Sequence, residues 1–212
     1  PLEKHVYVTD LKSGFPRKVT LASGMHNAVI SPKFDLFVDS HHSLNTSPNS
    51  AVRTLDSESE FIPVYTEKDE RASKFALSPP EIITIQAPSG ETLYGAVYKP
   101  AEKFGEGPFP TIFSVYGGPH VQQVTNGWNM TCAMRAQHFR SQGYVVFVLD
   151  NRGSARRGFQ FESNINRQMG TVEVEDQVLG AKWLIQNKLA DPERIGVYGW
   201  SYGGYVALLC LL

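Results

Sequence analysis

The sequence predicts a chain in two parts: a β-rich stretch over residues 1–66 and an α/β stretch over residues 81–212, joined by a linker at 67–80. Three observations carry this. Short alternating segments, broken by turn residues roughly every 8–12 positions, fill the first part. After Pro80, apolar strand-like runs alternate with helical periodicity, as in a parallel sheet wrapped on both faces. Third, Gly199-Trp200-Ser201-Tyr202-Gly203 stands between one such strand and an apolar, helix-like run.

In the first part, His5–Thr9 alternates and is followed by a turn-rich stretch to Pro16. Lys18–Leu21, Asn27–Ile30, Phe34–Val38 and Ala51–Leu55 continue the pattern. Such strands suit a sandwich, a barrel or a piece of a propeller. They amount to little more than one propeller blade, too little to be stable alone. The charged run Thr66–Lys74 reads as a solvated linker helix rather than a binding surface. Ser78-Pro79-Pro80 stops it, and the domain boundary is expected there.

The second part opens with Glu81–Ala87, a turn at Pro88–Glu91, and Thr92–Tyr98, a predicted hairpin. Thr111–Tyr116 is nearly continuous in apolar residues, as expected of a strand covered on both faces. A helix is expected around Thr131–Gln142, then a strand over Tyr144–Leu149. Thr171 is placed to cap a helix with Glu173 and Glu175 in its first turn, where the dipole favours acids. Val174, Val178, Ala181 and Ile185 recur at helical spacing and form its expected apolar face. Arg194–Tyr198 is the next strand.

Composition narrows the classes. At 212 residues, with 42% hydrophobic and 11% aromatic content, a packed core is available and disorder is excluded. Lys and Arg number 20 against 21 Asp and Glu, so the basic excess of a nucleic-acid or anionic-membrane binder is missing. No apolar run reaches the ~18–20 residues of a membrane span. Cys132 and Cys210 make no disulfide scaffold and have no metal-ligand spacing. Neither Gly-x-Gly-x-x-Gly nor a phosphate-binding loop is present, which removes nucleotide binding as a rival; no cofactor or metal is expected. The start at Pro1 and the stop at Leu211-Leu212 inside an apolar run suggest a fragment.

Gly199–Gly203 is a G-x-S-x-G motif in the strand–turn–helix setting a nucleophile elbow needs. It makes Ser201 the candidate nucleophile; the alternative is an ordinary glycine-rich turn with a passive serine. Acyl transfer also needs donors for the developing oxyanion. One is expected from the Tyr202 N–H. A second is expected from the loop Tyr116-Gly117-Gly118-Pro119-His120, where the Tyr116 hydroxyl could reach the acyl oxygen. The alternative there is a core tyrosine before a plain turn. Arg152, at the C-terminal end of a predicted strand, could hold an anion or brace neighbouring loops. All six histidines precede Ser201, and the 11 residues after it include no acid and no histidine. In α/β-hydrolases the triad runs Ser, acid, His, so the nucleophile stands here without its base and is weak alone.

These motifs resemble a known family. The elbow Gly199–Tyr205, the loop Val115–Pro119 and the segment Asp150–Ser154 resemble the prolyl-oligopeptidase-type serine peptidases. Met169–Gln177 is similar to the dipeptidyl peptidase IV group. Ser78–Ile82, Thr92–Gly95, Tyr98–Pro100 and Gly118–Val124 look most like the branch of dipeptidyl peptidases 8 and 9. His120 and Asn126–Ala136 depart from the pattern. The resemblance implies the end of a β-propeller over 1–66, then the N-terminal half of an α/β-hydrolase over 81–212, truncated after the elbow. It implies a cytosolic, usually homodimeric enzyme that releases X-Pro or X-Ala dipeptides from peptide N-termini. Ser201 is then the nucleophile, Tyr116 the side-chain oxyanion donor, and Tyr202 both backbone donor and a wall of the proline pocket. The triad Asp and His fall beyond Leu212, and the glutamates for the substrate amine fall in propeller sequence outside the chain. An acylaminoacyl peptidase or esterase on the same fold, and a non-catalytic scaffold, remain as alternatives.

Overall fold

The structure, a computed structural model, describes residues 2–56, 61–66 and 74–212. Most of the expected linker helix, at 67–73, lies outside the described residues. The chain forms two compact units. One comprises Pro1–Pro79 with Thr125–Cys132, the other Pro80–Val124 with Ala133–Leu212.

The first unit is β-structure. β1 (Tyr7–Thr9) pairs antiparallel with β2 (Pro16–Lys18). β3 (Met25–Ile30), β4 (Leu36–Ser43), β5 (Thr46–Thr54) and β6 (Phe61–Thr66) form a four-stranded antiparallel sheet in sequence order. β5 begins earlier than the expected Ala51, because Pro48 falls where the β4–β5 register shifts between His41 and Ser43. A proline is tolerated at such an irregularity, where no ladder amide is required. Val19, Phe37 and Leu55 form a small core with Val6 and Val8. Beside it His26 and Asp39, both buried, pair at 2.9 Å, and Arg53 reaches Asp39 at 2.9 Å.

The short segment Thr125–Cys132 packs in this unit. Its Asn126 N–H donates to the Leu2 carbonyl at 2.8 Å, while the Asn126 Oδ1 accepts from the Leu44 N–H at 3.1 Å. The Trp128 N–H donates to His42 Nδ1 at 3.0 Å, and the Thr131 hydroxyl to the Leu44 carbonyl at 2.6 Å. The expected helix over Thr131–Gln142 is therefore two. α1 (Trp128–Thr131) belongs to the first unit and α2 (Met134–Ser141) to the second, the chain changing units between Cys132 and Ala133.

The second unit is α/β. β7 (Glu81–Gln86) and β8 (Thr92–Tyr98) form the predicted hairpin. β9 (Phe109–Val115), β10 (Val145–Asp150) and β11 (Ala190–Gly199) complete a sheet of order β11-β9-β10-β8-β7. Only β9, β10 and β11 run parallel; β10 meets β8 antiparallel, so the sheet is mixed rather than wholly parallel. All six residues of β10 are buried, as expected for the innermost strand of a covered sheet. α3 (Phe159–Glu162), α4 (Val172–Gln186) and α5 (Tyr202–Leu209) follow.

Helix α4 departs from its apolar pattern. Its buried residues are Val172, Glu173, Asp176, Gln177, Gly180 and Leu184. None of Val174, Val178, Ala181 and Ile185 is fully buried, and Val178 is exposed. The helix is turned so that its polar stripe meets the strand ends, where hydrogen-bond partners wait. Thr171 is the N-cap residue but makes no side-chain cap bond. Instead the Glu173 carboxylate reaches back to the Gly170 N–H at 3.0 Å.

Candidate active site

Strand β11 ends at Gly199 and α5 begins at Tyr202, so the chain reverses within Trp200-Ser201. Ser201 takes φ 56° and ψ −122°, with its side chain exposed and making no cap bond. A non-glycine residue held at positive φ costs of order 1–3 kcal/mol and persists only where surrounding structure enforces it. The glycines supply that enforcement. A Cβ on Gly203 would lie 2.2 Å from the Val115 carbonyl oxygen, and one on Gly199 2.1 Å from that of Gly203. The turn thus closes directly onto the end of β9. The N-terminus of α5 adds its partial positive charge beside Ser201.

The amides of Gly203, Gly204 and Tyr205 turn back to Trp200 and Ser201 carbonyls. Among the described residues none accepts from the Tyr202 N–H, the first amide of α5, one of the groups a helix start leaves open. Among them, too, no histidine or carboxylate hydrogen-bonds the Ser201 hydroxyl.

Tyr116 follows β9 directly, and its half-buried ring lies 6.2 Å from that of Tyr202, tilted by 38°. Gly118 passes between the two: a Cβ there would meet Tyr202 Cγ at 2.7 Å and Tyr116 Cε1 at 3.0 Å. Gly117 sits at φ 76° and His120 at φ 63°, so the loop bends sharply twice. Ser201, Tyr202 and Tyr116 therefore share one edge of the sheet, beyond the C-terminal ends of β9 and β11. The Tyr202 phenol donates to Glu173 Oε1. Burial, and then this bond to Glu173, raise the phenol well above its ordinary pKa. The Tyr205 ring stands edge-on to Tyr202 at 5.4 Å.

Arg152 braces loops rather than offering an open anion site. Its guanidinium contacts Asp176 at 2.8 Å, Glu175 at 3.3 Å and Ser89 at 3.1 Å, and its backbone N–H donates to Asp176 at 2.7 Å. The Asp176 hydrogen bonds push Arg152 above its usual range. Burial raises the Asp176 carboxyl despite the pull of Arg152; with both partners this well bonded, the ion pair is the state the geometry favours. Asp150, at the end of β10, accepts from the Gln123 and Val124 amides at 2.8 and 3.0 Å. Burial nevertheless lifts it to about 6.

Sequence reasoning missed the polar lattice behind the elbow. The Asn151 amide donates to the Gly117 carbonyl at 3.1 Å, and Gln177 reaches Asn151 Oδ1 at 3.4 Å. Glu173, Asp176 and Gln177 lie at i, i+3 and i+4, one face of a helix. That spacing was readable, but the acids pass for dipole partners. Among the described residues no group of three His, Cys, Asp or Glu is disposed to hold a metal ion.

A strained serine between strand and helix, beside a glycine loop at the same sheet edge, marks a hydrolase-like architecture. Residues 130–212 match the prolyl oligopeptidase family. Over its whole length it is 37% identical to mouse dipeptidyl peptidase 8 and 36% identical to the human protein, covering 25% and 24% of them. Over 96% of its length it is 31% identical to a probable dipeptidyl peptidase 4 of Trichophyton verrucosum, of which it covers 28%. The chain thus spans about a quarter of the length of these curated relatives. No helix among the described residues is long and apolar enough to cross a membrane.

Proposed function

We propose that this chain carries the nucleophile of a serine-type dipeptidyl peptidase that releases X-Pro or X-Ala dipeptides from peptide N-termini. The observation that carries the proposal is Ser201 at φ 56° between β11 and α5. Ser201 Oγ attacks the carbonyl carbon of the second residue, its proton passing to a histidine outside this chain. The Tyr202 N–H and Tyr116 hydroxyl donate to the oxygen as its charge develops. The amine leaves with the proton, and water then hydrolyses the acyl-enzyme.

On this reading the second unit is an α/β-hydrolase core. Its strands run in the order first, second, fourth, third, fifth. The antiparallel sheet β3–β6 is then one blade of a β-propeller, whose blades are four-stranded. A dimeric state, a cytosolic location and independence of cofactors are part of the same proposal and rest on the family resemblance alone. The chain alone, without acid and histidine after Ser201, is expected to be inactive.

The test is fluorophosphonate labelling of the full-length gene product, with hydrolysis of a Gly-Pro amide and of an N-acetylated amino-acid amide. Labelling lost in Ser201→Ala, with cleavage of the Gly-Pro amide down at least ~10³-fold, is expected. Preference for the acetylated substrate assigns an acylaminoacyl peptidase instead. No labelling at all assigns a scaffold.

A further inference from the structure

The sequence motif that the proposed chemistry leaves unused is Glu173-Val174-Glu175-Asp176-Gln177. Glu173 is fully buried and makes no ion pair among the described residues, although burying an uncompensated carboxylate is costly. Its oxygens are divided between two donors: Oε1 takes the Tyr202 phenol and Oε2 the Gly170 N–H. A Cβ built on Gly117 would lie 3.6 Å from the Glu173 Cβ, 3.4 Å from Asn151 Oδ1 and 3.0 Å from Val206 of α5. Glu173 therefore lies beside the loop after β9, where a side chain on Gly117 would meet it, and bonds the first residue of the elbow helix. Asn151 and Gln177 complete the frame from the side of β10. Purely structural packing at this point would be served by an apolar side chain of similar volume, at no desolvation cost.

Resting on the acyl-transfer reading of Ser201, we propose that Glu173 is the positioning residue of the elbow. Its carboxylate anchors the Tyr202 phenol and thereby fixes where the Tyr202 N–H and ring stand relative to Ser201 and Tyr116. A glutamine cannot replace it. The carboxylate accepts at both oxygens, whereas an amide has one acceptor: with that oxygen on the Gly170 N–H, its NH2 can only donate to the phenol oxygen, and the phenol hydrogen loses its acceptor. The raised Tyr202 phenol agrees with a donor held neutral by a buried acceptor.

The experiment compares Glu173→Gln, Tyr202→Phe and the double variant in the full-length gene product, hydrolysing a Gly-Pro amide. Each single change is expected to lower kcat about tenfold, less than removing an oxyanion donor outright, with KM moved less than threefold. The double variant is expected to lose no more than the worse single, because both changes cut one link. In ultraviolet difference titration, one phenol that titrates high in the parent is expected to ionise at lower pH in Glu173→Gln. Unchanged kcat in Glu173→Gln, losses that multiply in the double variant, or an unmoved phenol each overturn the proposal. Should Glu173→Gln fail to fold, Tyr202→Phe, which deletes one hydroxyl, tests the link from its other end; unchanged kcat there also overturns it. Ser201→Ala separates the two levels. If that variant still hydrolyses the amide, the acyl-transfer reading falls; if it is dead while Glu173→Gln is not impaired, only the positioning role does.

Discussion

Helices α4 and α5 both pack against β11, yet they bury opposite chemistry. α5 turns Gly203 and Val206 inward, and its approach is limited by backbone atoms. α4 turns a glutamate, an aspartate and a glutamine inward, and its approach is set by hydrogen bonds to the loop after β10 and to the Tyr202 phenol of α5. One helix is held by close contact and the other by a polar lattice. The difference predicts how each fails: α5 through volume, α4 through unpaired charge.

The sharpest way to break the comparison is Gly203→Ala. The new Cβ would stand 2.2 Å from the Val115 carbonyl, and rigid backbone on both sides leaves no cheap escape. Loss of more than about 4 kcal/mol is expected, seen as a collapse of the melting temperature or of soluble expression. Asp176→Ala comes next. It strips the principal partner from Arg152, whose side chain is only 11% exposed, and about 3–5 kcal/mol is expected by denaturant unfolding. If this variant were silent, the lattice would be ornamental and α4 would be held by packing after all.

Asp150 gives a pH test. Its folded pKa of about 6 stands above the ordinary 3.8, so the protonated form is the one the fold favours. Its contribution is fully present below pH 3.8 and is lost as pH rises through 6, at most about 3 kcal/mol at 1.36 kcal/mol per unit. Asp150→Asn is expected to remove that slope between pH 4 and 6, measured as the pH dependence of unfolding relative to the parent. The smallest effect belongs to Gln177→Leu. Its hydrogen bonds are long, at 3.4 Å, and Oε1 is buried without a partner; a change under about 1 kcal/mol is expected.

The same contrast explains what the sequence made legible. Strand β10, the β7–β8 hairpin and the serine turn were readable because each is dictated locally, by apolar runs, turn residues and glycines without room for a side chain. The buried face of α4 was not. Patterning assumes that apolar residues point inward, and Val174 and Val178 satisfied the helical period while Glu173, Asp176 and Gln177 took the interior. Their partners, Tyr202, Arg152 and Asn151, lie 24 to 29 residues away in sequence, so no local rule pairs them. The tyrosine beside the glycine loop was readable as a motif, but its 6.2 Å approach to Tyr202 needed the fold. The break at Cys132-Ala133 was likewise invisible, because nothing in the residues announces a change of unit.

That break bears on how the chain can be divided. Asn126 bonds to Leu2, Glu3, Ser23 and Leu44, residues more than 80 positions earlier. The N-terminal β unit is therefore unfinished when its own strands have left the ribosome. It waits for eight residues that emerge only after the β7–β8 hairpin and β9. A gene cut at Pro79 would strip the first unit of Thr125–Cys132 and every bond Asn126 makes, since that clasp is encoded between the segments of the second.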